Sequence, residues 1–113
     1  MIDDAGERAR RVGENEALFR TVNEQVRDLN QTFLVEGTLR IVCECGEQSC
    51  IDQIEIEPAA YEALRADPTL FAVRPGHEVP DLETVVMRNE DYSIVRKDRG
   101  EPESIARATD PRR

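Results

Sequence analysis

The chain has 113 residues, of which 39% are hydrophobic and 4% aromatic with no tryptophan, enough for one domain with a small core. Fifteen basic against 24 acidic residues leave a net charge of -9. That charge excludes nucleic acid as the default partner, since a phosphate backbone needs a basic face, and it disfavours anionic membrane surfaces. No run approaches the ~20 apolar residues of a membrane span, and Met1-Ile2-Asp3-Asp4-Ala5-Gly6-Glu7 lacks the features of a secretion signal. A cytoplasmic setting is therefore expected, where closely spaced cysteines serve as metal ligands or redox groups rather than structural disulfides.

Residues 4–33 read as one long helix. Val12, Phe19, Val22, Val26, Leu29 and Phe33 recur at alternating steps of three and four, with Asn15 in the single gap. Such a seam packs either on the chain's own sheet or, as a coiled coil, on a second copy or another protein, with Asn15 as a register-setting position. Gly37 ends this part. Thr38-Leu39-Arg40-Ile41-Val42 and the stretch 51–57 alternate as two strands of a hairpin around the cysteine loop. Pro58 opens a short helix that Asp67-Pro68 stops. Leu70-Phe71-Ala72-Val73 is a brief strand leading to Pro75-Gly76-His77. Thr84-Val85-Val86-Met87 and Tyr92-Ser93-Ile94-Val95 form a closing hairpin. Residues 99–113 are polar and unpatterned, and a disordered tail is expected there, with at most a helical turn near Ile105. The expected architecture is α+β: one domain over residues 1–98, with the long helix beside a small, mostly antiparallel sheet, one short helix and a zinc-stapled loop.

All three cysteines lie in Cys43-Glu44-Cys45-Gly46-Glu47-Gln48-Ser49-Cys50, and the only histidine is His77. Three thiolates and one imidazole complete the shell of a tetrahedral zinc ion. Cys43 and Cys45 can face one ion if Glu44 bulges outward, and Gly46 lets the chain turn through positive φ. Cys43, Cys45, Cys50 and His77 are therefore the expected metal ligands. Glu47, Asp52 or a water could replace His77, and an open fourth position would make Glu44 and Glu78 candidate general bases. Free thiols, a Cys45–Cys50 or Cys43–Cys50 disulfide and a [2Fe–2S] cluster are the competing readings. The last resembles the ligand set of the CDGSH iron–sulfur proteins, whose C-D-G-x-H segment is missing here. No P-loop, dinucleotide fingerprint or Ser/His/Asp arrangement accompanies the site.

Taken in order, Arg11, Glu14-Asn15-Glu16, Phe19-Arg20, Val22-Asn23-Glu24, Cys43-Glu44-Cys45-Gly46, Cys50, Tyr61-Glu62, Arg65, Phe71-Ala72-Val73 and Pro75-Gly76-His77-Glu78 form a recognisable set. In these residues the chain resembles a family of small uncharacterised bacterial proteins with an N-terminal helix, a C-x-C-G knuckle and a P-G-H segment. The resemblance implies a shared fold and metal site and carries no activity. The reading is a non-enzymatic interaction or regulatory module that uses its N-terminal helix, with a structural zinc. The alternative is a redox sensor or metalloenzyme with its chemistry at the cysteine loop.

Overall fold

The computed structural model describes residues 4–32 and 37–112. In chain order these form helix α1 (Asp4–Thr32), strands β1 (Leu39–Val42) and β2 (Gln53–Ile56), and helix α2 (Pro58–Arg65). Strands β3 (Leu70–Val73), β4 (Glu83–Arg88) and β5 (Ser93–Lys97) follow, and then helix α3 (Glu101–Ala108). The architecture is α+β as the sequence implies, with the sheet divided in two. β1 and β2 pair antiparallel, Leu39 opposite Ile56 and Ile41 opposite Ile54, so that the alternating apolar residues of both strands enter the core together. The second sheet runs β3-β5-β4, all antiparallel. A backbone hydrogen bond from the Glu44 N–H to the Ala72 carbonyl, 2.8 Å, ties the end of the first sheet to β3. A bulge between Val85 and Met87 shifts the β4–β5 register, and Val86 and Met87 stand exposed on that outer strand.

α1 is amphipathic in an unusual sense. The residues it buries are Ala9, Gly13, Glu16, Arg20 and Asn23, again at steps of four and three. This stripe is turned about a quarter of a revolution from the apolar seam. Of the seam, Val12, Phe19, Val22 and Val26 are half-buried and Leu29 is exposed. Phe33 lies outside the described residues, as do Met1-Ile2-Asp3. A polar face can enter the core only if its groups find partners, and most of them do, although Glu16 Oε2 and Arg20 Nε are buried without a hydrogen-bond partner. Glu16 takes the Lys97 ammonium at 2.7 Å, which also reaches Glu83 at 2.9 Å. The Arg20 guanidinium lies 4.6 Å from the centre of the Phe71 ring. It donates to the carbonyls of Pro68 and Ala106 and to the Thr109 hydroxyl at 2.7–3.0 Å.

The expected disordered tail is corrected by α3. Gly100-Glu101-Pro102-Glu103 has the signature of a helix start, with proline in the first turn beside two acidic residues, and Arg107 lies in the last turn. Ala106 is buried, Ile105 lies against Gly13, and Arg20 caps the C-terminal carbonyl of Ala106. Further on, Arg112 bridges Glu24 of α1 and Glu62 of α2. The polar composition of this segment hid a helix whose docking face consists of one alanine, one isoleucine and an arginine from elsewhere. Among the described residues no helix is long and apolar enough to cross a membrane.

Candidate metal centre

The first two sulfurs come from the chain just beyond β1. The Cys43 N–H donates to the Asp52 carbonyl at 2.9 Å, which extends the hairpin pairing by one step, and the Glu44 N–H then bonds across to β3. This backbone alternates as a strand does. Cys43 and Cys45 face one side and Glu44 the other. Gly46 follows because of space, not of φ. It is absent from the positive-φ glycines, but a Cβ there would lie 2.9 Å from Val12 Cβ and 3.1 Å from Val12 Cα. The loop therefore sits directly on α1, and Asn15, expected to set a coiled-coil register, instead donates to the Gly46 carbonyl at 3.0 Å. The Cys50 N–H donates to the Glu47 carbonyl at 3.0 Å, a turn that brings the third sulfur back toward the first two.

His77 arrives from the other side, at the end of the turn Arg74-Pro75-Gly76-His77. The His77 N–H donates to the Arg74 carbonyl at 2.9 Å. Proline holds the second position and Gly76 takes φ +87° at the third, the requirement of a type II turn. Its Nδ1 lies 3.5 Å from Cys43 Sγ and 3.6 Å from Cys50 Sγ. Its Nε2 is 3.5 Å from Asp52 Oδ2, so a carboxylate stands behind the imidazole and orients it, as carboxylates do behind metal-bound histidines.

The four candidate ligand atoms, on Cys43, Cys45, Cys50 and His77, all lie within 4.8 Å of one another. A tetrahedral ion with sulfur at ~2.3 Å and nitrogen at ~2.0–2.1 Å requires S···N edges of about 3.6 Å. The two S···N distances above meet that requirement. The Arg74 N–H donates to Cys43 Sγ at 3.2 Å, and the backbone amides of Glu47 and Asp52 act to lower the pKa of Cys45 and Cys50 respectively. Amides aimed at sulfur favour the thiolate.

The thiols respond to one another. Cys45 is pushed down to about 5, chiefly because the Cys43 thiol donates to it. Cys43 is pushed up by that same donation and by burial, and Cys50 is raised by burial. Protein groups alone thus favour a single thiolate in the cluster. Ionising all three takes a cation among them, and the donor set fits one.

The remaining carboxylates have other work. Glu47 is folded back on Ser49, accepting from its hydroxyl at 2.9 Å. Glu78 accepts from the Gly76 N–H at 3.2 Å. Glu44 does not bulge outward. It is completely buried, and its carboxylate receives both Arg65 terminal nitrogens at 2.7 and 2.8 Å. Asn23 adds a donor at 2.8 Å and the Ala72 N–H one at 3.1 Å. Asn23 in turn pairs with both the N–H and the carbonyl of Val42, acting as a short substitute strand beside β1. The sequence reading missed this anchor. Its one signal was the placement of Glu44 between two cysteines in an alternating segment, which sends it to the opposite face.

No protein-family model, curated protein or solved structure matches the chain. What the centre can do therefore follows from its geometry: Cys43, Cys45, Cys50 and His77 form a group that could hold one metal ion.

Proposed function

We propose that the protein binds one zinc ion through Cys43, Cys45, Cys50 and His77, that the ion is structural, and that the domain it staples is a non-enzymatic interaction module working through α1. The observation that carries the reading is the convergence of four donor atoms from separate segments within 4.8 Å, at the S···N spacing of a tetrahedral ion. Three sulfurs and one nitrogen suit zinc, and four protein ligands leave no position for a catalytic water. A [2Fe–2S] cluster would divide the ligands between two irons and spread them further apart. The sequence resemblance to small bacterial proteins with the same knuckle and P-G-H segment accords with a shared site.

The module reading draws on the outer face of α1. Leu18 and Leu29 are 59% and 58% exposed, and the half-buried Val22 lies between them at helical spacing. A second copy of the same helix is the simplest partner for this row.

Elemental analysis tests the metal: one zinc per chain is expected, with thiols that resist alkylation until a chelator is added. A visible iron–sulfur absorption band, or a fully folded protein without metal, would refute it. Sedimentation at several concentrations tests the row, with a dimer expected for the wild type and a monomer for Leu18→Glu. A wild type that stays monomeric at every concentration removes self-association.

A further inference from the structure

The cysteine loop and α1 touch at Gly46 but leave a cleft of about 550 Å³ between them, within the ~300–1,000 Å³ of small-ligand sites. Cys50 and His77 of the candidate metal group, Arg8, Arg11 and Val12 of α1, and Val79 are among the residues that line it.

The charges of the cleft are unequally committed. Arg11 is exposed and has no ion-pair or hydrogen-bond partner among the described residues. Arg8 meets Asp81 in a pair whose side chains are 45% and 65% exposed, the kind that contributes only ~0–1 kcal/mol and yields to a better acceptor. The one carboxylate on the wall, Glu47, is turned onto Ser49. One unpaired guanidinium and one held only by an exposed ion pair thus line the cleft of a chain of net charge -9.

We infer that this cleft binds a small organic carboxylate, held by Arg11 with Arg8 beside it, its apolar part against Val12 and Val79. Arginine forks match carboxylates in a bidentate manner. A monoanion is favoured over a phosphate dianion because repulsion from the acidic chain scales with ligand charge. The valine walls favour an organic ligand over an inorganic one. The site rests on the loop being closed by its metal but not on which ion closes it.

The test uses isotopically labelled full chain whose metal content has first been measured, so that failure of the zinc reading shows there and not in the titration. Benzoate, benzamide and inorganic phosphate are titrated while backbone amide shifts are followed. Saturable shifts with benzoate are expected around residues 8–15, 45–50 and 77–79, with none from benzamide and weaker ones from phosphate. Arg11→Ala should weaken benzoate by about tenfold or more, and Arg11→Lys by less. Unsaturated shifts, equal binding of benzamide, phosphate binding as tight as benzoate, or an unchanged Arg11→Ala would each overturn the assignment.

Discussion

Two polar regions lie inside this small protein, and they resolve their charges in opposite ways. The helix-facing region closes on itself. Glu44 meets Arg65, Asn23 and a backbone amide, and Lys97 meets Glu16 and Glu83. The sulfur region has amide donors and one imidazole but, among the described residues, no cationic side chain hydrogen-bonded to its sulfurs, and on the proposed reading an ion from outside would balance the thiolates. Buried charge is tolerated in either case once it is paired. A chain with few large apolar residues can thus bury ionic contacts of its own, and on the proposed reading recruits one more.

If the proposed ion is bound, removing it should produce the largest effect. Zinc binding to small structural sites is worth on the order of 10 kcal/mol, more than most domains have to spare. Chelation, or Cys45→Ser, should abolish the cooperative thermal transition followed by circular dichroism. An apoprotein that melts like the loaded protein would break the comparison.

The built-in region comes next. Arg65→Met leaves Glu44 buried without its main partner and should cost ~3–5 kcal/mol in urea unfolding. A loss under ~1 kcal/mol would mean that Asn23 and Ala72 suffice to hold the carboxylate.

Glu16 gives a pH signature. Burial, outweighing the attraction of Lys97, raises its carboxyl from 4.5 to about 8. The folded state therefore holds a proton that the unfolded chain releases above about pH 4.5. Its contribution is fully present below that pH and is lost as pH rises through about 8. The wild type should accordingly lose a few kcal/mol relative to Glu16→Gln between about pH 5 and pH 8. Parallel stability curves for the two proteins would show that Glu16 stays ionised beside Lys97.

At the small end stands the exposed pair Arg40–Glu55. Arg40→Ala should change stability by no more than ~0.5 kcal/mol, which gives the scale against which the buried contacts are read.

The sequence disclosed the donor set because zinc chemistry restricts it to a few residue types, and this chain has one histidine and three clustered cysteines. It disclosed both hairpins because alternation has a short period. The buried face of α1 was not legible. Glu16, Arg20 and Asn23 look like solvent residues until their partners, 19 to 89 positions away, are placed beside them. α3 was hidden for the same reason, its anchor being an arginine on another helix. Periodicity marks where apolar residues repeat and says nothing of polar residues whose partners come from distant sequence.

The C-x-C spacing can now be read as a consequence of backbone pleat. In an alternating segment two positions of the same facing are two residues apart, so Cys43 and Cys45 share the side of the candidate metal group while the residue between them is given to the helices. A C-x2-C spacing would have put the second sulfur at position 46, where a side chain runs into Val12 of α1. One extra residue here would exchange inside for outside along the rest of the loop. The knuckle is thus a hinge plate with a candidate metal group on one face and Glu44 fastened on the other, and its length has to suit both faces at once.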